Sequence, residues 1–416
     1  MSQTIAEKIF SRIAGQPVSA GTERVFPPDL ITAYDYPGYI DKYEQQMAEL
    51  GIDKVKDPER FVLFIDHLYP AGTPAAQEVH QITRRFASHY GFKLYEGHGI
   101  GHQVISEKGY IKPGMFVTHF DGHISTVGAL GAIGIGIRNS MIEAFATGEV
   151  SLVVPATVRV NLEGSLQRGV TARDVFHWIV RKIGPAGCRQ SVIEYGGPGL
   201  RSIEMDGRFT LCNLAMFLGG ISAVMETDDK TEAWLKDATG TVQPHMAPDP
   251  GARYQSEVTL NLNDVEPVLV APPSPANTVA ISDALGTKIH SGYIGSCASG
   301  RILDFAQALE ILEGRHVADG FRLNAVPTTT EIQAQMSERG MTAKLIRAGA
   351  QVHVSTCDFC IGQMGALSDG ERSVSTGTLN IPGRMGSNRA EIFTASPYTI
   401  AATAINGKIT DPRTML

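Results

Sequence analysis

Short apolar runs rich in β-branched and aromatic residues alternate with stretches of helical periodicity along the whole chain. Phe61-Val62-Leu63-Phe64-Ile65 is apolar throughout, as a strand buried on both faces requires, and it ends at Asp66-His67. Val79, Ile82 and Phe86 recur at helical spacing within residues 76–88. Residues 151–160 read as a strand, 172–183 as a helix, and Val192-Ile193 as a strand running into Glu194. Residues 305–313 and 330–340 read as helices, and 351–355 as a strand leading to Cys357. Strands alternating with helices predict an α/β fold with mostly parallel sheets. Ligands of such sheets sit at the carboxyl ends of the strands. Asp66, Glu194 and Cys357 are expected there.

A chain of 416 residues exceeds one ordinary domain. A boundary near Pro155 and the proline-rich stretch 271–277 divide it into three α/β units, 1–155, 156–275 and 276–416. Hydrophobic residues at 43% and charged residues at 19% are ordinary for core-forming globular chains. A net charge of −7 without basic runs gives no electrostatic footprint for nucleic acid, so a small anionic substrate needs local cations. The N-terminus lacks the pattern of a secretory signal, and no apolar run reaches the length of a membrane span. Five cysteines, an odd number, argue for a reducing compartment, and the expectation is a soluble cytoplasmic protein. The 44 glycines gather in particular loops, such as 97–101 and 128–136, where backbone can approach a ligand or another backbone.

Three cysteines change the picture most. Cys297 stands in Gly-Ser-Cys-Ala-Ser-Gly-Arg, and Cys357 and Cys360 form a C-x-x-C pair. They are one short of the four thiolates that usually hold an iron–sulfur cube, which would leave one iron free to act on substrate as a Lewis acid. Zinc, with His353 as fourth ligand, and three ordinary thiols are the alternatives. Cys188 and Cys212 read as packing residues. Asp66-His67, His102, Asp121-Gly122-His123 and Glu194 lie at strand ends or in glycine-rich loops. Carboxylate–imidazole pairs there suit general acid–base chemistry. Arg301 and Arg384 are the candidate cations, because a guanidinium fork matches a carboxylate.

These segments, taken in order, resemble the aconitase superfamily, in particular large subunits of the 3-isopropylmalate dehydratase, homoaconitase and dimethylmaleate hydratase type. Asp66-His67-Leu68, Gly99-Ile100-Gly101-His102, Asp121-Gly122-His123, Val192-Ile193-Glu194-Tyr195, Thr210-Leu211-Cys212-Asn213, the cysteine frames and Pro382-Gly383-Arg384 carry the resemblance. It implies aconitase-like domains around a cleft, with a [4Fe–4S] cluster on Cys297, Cys357 and Cys360. It also implies the pairs Asp66 with His67, Asp121 with His102, and Glu194 with His123, with His67 as the acid on the departing hydroxyl and Arg301 and Arg384 on substrate. The family's base serine lies in a swivelling domain expected here on a separate small subunit. The implied activity is reversible dehydration of a hydroxy acid.

Three departures bear on the substrate. Gly122 replaces a serine, Ala298-Ser299-Gly300 replaces Thr-Asn-Ser, and Leu379 replaces an arginine used on a substrate carboxylate. They favour a substituted malate, such as 3-isopropylmalate or 2,3-dimethylmalate, over citrate or homocitrate. A tricarboxylate isomerase, a cluster-free regulatory or RNA-binding member, a zinc-stabilised structural protein and a cluster enzyme of altered chemistry are the competing readings.

Overall fold

A computed structural model describes residues 2–36 and 38–416. Three larger sheets carry the architecture, each built from one stretch of sequence. The first is wholly parallel, in the order Lys93–Glu96, Phe61–Ile65, Leu30–Tyr34, Phe116–His119, Ile133–Gly136. Phe61–Ile65 is buried at every position, as its unbroken apolar run requires. The second sheet, also parallel, runs Ser222–Met225, Val192–Gly196, Thr157–Glu163, Ser256–Asn261. The third has seven strands, of which Val268–Val270 and Thr278–Ala280 are antiparallel at one edge. The α/β expectation holds, and among the described residues no helix is long and apolar enough to cross a membrane.

Caps extend the helix expected over 76–88 to Pro74–Tyr90. Thr73 accepts from Ala76 N–H at the start, Pro74 occupies the first turn, and Gly91 closes the end in the left-handed region. The strand expected over 151–160 is instead two. Val150–Val153 pairs with Glu23–Phe26 in a separate antiparallel ribbon, and Thr157–Glu163 joins the second sheet. Pro155 lies between them and has no N–H to offer a ladder. The proline-rich stretch 271–277 also differs from its reading as a linker. It is the turn of the Val268–Val270 and Thr278–Ala280 hairpin, inside the third sheet, so a boundary at 275 would cut paired strands.

Close backbone contacts join the sheets around the site. A Cβ on Gly128 would lie 2.0 Å from the Ala223 carbonyl, so only glycine lets the Gly122–Leu130 turn lie against the second sheet. Gly99, at φ +96°, would place a Cβ 2.4 Å from the Thr328 carbonyl, which accepts from Ile100 N–H. One continuous core packs Val62, Phe64 and Val117 from the first sheet with Val158, Val160 and Ile193 from the second. Burying each such side chain contributes about 1.5–3 kcal/mol before entropy is counted.

Candidate active site

The carboxyl ends of the first sheet open onto a cavity of about 420 Å³. Leu30–Tyr34 delivers Tyr34 and Tyr36, Phe61–Ile65 delivers Asp66 and His67, Phe116–His119 delivers Phe120 and Asp121, and Ile133–Gly136 delivers Arg138. His67 Nδ1 lies 2.7 Å from Asp66 Oδ1 and 3.5 Å from Asp35 Oδ1. Asp66 Oδ2 accepts from Gly101 N–H, which opens the helix carrying His102. His102 Nε2 bonds Asp121 Oδ1 at 3.0 Å, and the same oxygen accepts from His123 N–H. The His123 ring is held by the Asn213 carbonyl at 3.2 Å and faces Phe217, not Glu194.

Cys297, Cys357 and Cys360 line the same cavity, and all three thiols are free. The residue between the paired cysteines explains their placement. Asp358 accepts from Leu68 N–H at 2.7 Å, Tyr69 N–H at 3.0 Å and the Thr356 hydroxyl at 2.6 Å. Cys357 N–H in turn donates to the Asp66 carbonyl. The Asp66-His67 loop and the cysteine loop are thereby stitched together although nearly 300 positions separate them in sequence. On the other side Ser296, at φ 81°, turns the chain so that Cys297 faces the cavity, and the Thr376 hydroxyl donates to the Gly295 carbonyl.

The donor set suits an iron–sulfur cluster. Arg384 Nη2 lies 3.3 Å from Cys360 Sγ, and a guanidinium can only donate, so this sulfur is an acceptor, as a ligating thiolate is. Cys297 Sγ lies 3.8 Å from Asn213 Oδ1. His102 Nδ1 and Arg384 Nε are buried without a hydrogen bond among the described residues, which leaves polar groups around the cavity for a guest. His353, the candidate fourth ligand for zinc, bonds Asn324 instead and does not line the cavity. Cys188 and Cys212 are core residues.

Electrostatics separate the imidazoles. Burial works against a charge on His67, but Asp66, Cys357 and Asp35 raise its pKa well above the ordinary value. Burial and the neighbouring His102 push His119 down to about 3, so its ring is neutral. Burial raises Asp121, yet His102, His119 and His123 hold it well below the carboxylate range.

Two expected site residues lie elsewhere. Glu194 pairs across the second sheet with Arg159, directly opposite in register, at 2.9 Å. It also accepts from the Tyr254 hydroxyl at 2.6 Å and from Ile5 N–H at 2.8 Å. It is a strut between sheet and N-terminal helix and does not meet His123. Arg301 is fully buried behind the cysteine loop, donating to the Cys297 carbonyl at 2.8 Å and to Gln103 at 3.0 Å, with its guanidinium over Phe209. It therefore braces Cys297 and does not line the cavity. Sequence reasoning missed Tyr34, Asp35, Tyr36, Phe217, Arg138 and Asp358. The polar triplet after the apolar run Leu30–Ala33 was the available signal for the first three.

The sequence model of the aconitase family (aconitate hydratase) matches residues 45–288 and 284–407. The chain is 39% identical over 420 residues to 3-isopropylmalate dehydratase large subunit 1 of Methanopyrus kandleri, covering 100% of both chains. It is 36% identical over 421 residues to the 3-isopropylmalate dehydratase large subunit of Nitratiruptor, covering 99% of this chain and 100% of that one. With the large subunit 1 of the same dehydratase from Thermotoga maritima the identity is 36% over 420 residues, 99% of each chain.

Proposed function

The chain belongs to the aconitase family, and from that premise we propose that it is the large subunit of a hydro-lyase. Its substrate is a substituted malate of the 3-isopropylmalate or 2,3-dimethylmalate class, dehydrated reversibly. The observation that carries this reading is the convergence of three free thiols, two carboxylate–imidazole pairs and Arg384 on one cavity. Cys297, Cys357 and Cys360 would hold a [4Fe–4S] cluster at three corners. Bound there, the cluster supplies a Lewis acid that polarises a C–O bond.

His67, steadied by Asp66, gives its proton to the departing hydroxyl, which leaves as water. Arg384 orients a substrate carboxylate with its fork. His102 and His123, both tied to Asp121, complete the polar wall and hold the bound acid in place. The proton on the adjacent carbon passes to a base, and its electron pair forms the double bond as the hydroxyl departs. The family resemblance assigns that base to a serine on a small subunit. The relatives' name, large subunit, supports such a partner.

The apolar side of the cavity supports the substrate class. Met216, Phe217, Ile361, Leu379 and Phe120 line it. A Cβ at Gly122 would already lie 3.3 Å from Met216 Cε, so Met216 fills the space where the family's serine would stand. A third carboxylate would be desolvated against this wall without a partner. The test is an anaerobic assay of the reconstituted chain with its small subunit across isopropylmalate, dimethylmalate, citramalate, malate and homocitrate. A substituted malate should have the highest kcat/KM. A preference for homocitrate, or full activity without the small subunit, overturns the reading.

A further inference from the structure

Two guanidinium groups line the cavity among the described residues, Arg384 and Arg138. Arg384 is partly engaged by Cys360 Sγ. Arg138 is not engaged in this way. It follows directly on the Ile133–Gly136 strand, at the same carboxyl edge that supplies His67 and Asp121. Its guanidinium stacks over the Phe120 ring with Cζ 4.7 Å from the centroid. The carboxylates of the cavity, Asp66 and Asp121, are paired with imidazoles. Arg138 is thus a pre-oriented cation whose guanidinium makes no hydrogen bond or ion pair among the described residues, on a cavity that Leu379 also lines.

We propose that Arg138 is the second carboxylate-binding residue of this enzyme, so that the substrate is a diacid held between Arg384 and Arg138 with its substituent against Leu379, Phe217 and Met216. The assignment rests on the hydro-lyase reading for the nature of the ligand. Its physical basis is separate. A guanidinium stacked on an aromatic face has one plane fixed and keeps its N–H edge for bidentate contact with a carboxylate. A diacid carries two negative charges into a chain of net charge −7, so each carboxylate needs its own local cation. Arg138 is solvent-exposed at the mouth, which places its contribution at the low end for a charge-assisted hydrogen bond.

Binding separates this assignment from the reaction. Affinity for 2,3-dimethylsuccinate, a diacid without the leaving hydroxyl, is measured by calorimetry on the cluster-loaded chain with its small subunit. The wild type is compared with Arg138→Gln and Arg138→Lys, and the diacid with its half-ester. Arg138→Gln should bind the diacid about tenfold more weakly, with Arg138→Lys recovering part of the loss. In turnover the Gln variant should raise KM for the preferred diacid by the same factor and leave kcat within about threefold. The half-ester should bind wild type and Gln variant alike. A wild type that binds no diacid, or a Gln variant that binds the diacid as tightly as the wild type, overturns the assignment. Diacid binding that depends on Arg138 in a protein without dehydratase turnover would sink the hydro-lyase reading and leave this one standing.

Discussion

Replacing Glu194 by glutamine separates a strut from a catalytic group. The carboxylate takes three hydrogen bonds, from Arg159, the Tyr254 hydroxyl and Ile5 N–H. Burial raises its pKa, and Tyr254, Ile5 and Arg159 oppose that rise, so the ionised form depends on all three donors. Glutamine keeps one acceptor oxygen, enough for Arg159 and Tyr254, but as neutral hydrogen bonds weaker by about 1 kcal/mol each. Its amide must then face Ile5 N–H, donor against donor, at a cost of about 1–3 kcal/mol. Arg159 stays paired with Glu226, so no bare charge is buried. The total is about 3–5 kcal/mol, read as a lower midpoint in urea unfolding. Because the bonded partners of Glu194 all lie outside the cavity, Glu194→Gln assayed well below that midpoint should keep kcat within about threefold of wild type. A loss of a hundredfold in kcat with unchanged unfolding would return Glu194 to the machinery and refute this assignment.

Other outcomes follow from the same geometry. His67→Ala should lower kcat by about 10²–10⁴ while iron content stays at the wild-type level, because the ring is proposed to move a proton and not to hold metal. Leu379→Arg should lower kcat/KM for the substituted malate and raise it for homocitrate, since the charge replaces apolar wall with a carboxylate partner; a variant with unchanged ranking contradicts the role given to Leu379. Burial pushes Glu107 up from 4.5 to about 7 against the hydrogen bonds from Gln103 and Thr329. Its protonated form is thus the one the fold favours, and that stability is full below about 4.5 and lost as pH rises through about 7. Glu107→Gln, which resembles the protonated side chain, should flatten this part of the urea midpoint against pH, and an unchanged slope would assign it to other groups.

What the sequence disclosed and what it hid divide along physical lines. Asp66-His67, the His102 and Asp121 positions and the C-x-x-C pair are local features at the ends of apolar runs, and a parallel sheet brings strand ends together. Their meeting with Cys297 depends on contacts such as Asp358 with Leu68 and Tyr69, which no local pattern encodes. Glu194 looked like a site residue because it also ends an apolar run. Strand register sets it opposite Arg159, and register is decided across the sheet. Arg301 follows the same logic, since a motif arginine beside a ligand loop can face the ligand or brace the loop, and burial over Phe209 decides for bracing. The break at Pro155 was visible as a missing donor. The turn at 271–277 was not, because a proline-rich run between two elements reads alike whether it joins sheets or closes a hairpin.

The most direct test of the central claim is the iron and acid-labile sulfide content of the anaerobically reconstituted chain, measured beside Cys297→Ser, Cys357→Ser, Cys360→Ser and Cys212→Ser. Wild type and Cys212→Ser should each hold about four irons and four sulfides, and the other three variants should lose them. Stoichiometric zinc in the wild type, or iron retained undiminished when any of the three cavity thiols is removed, would contradict it.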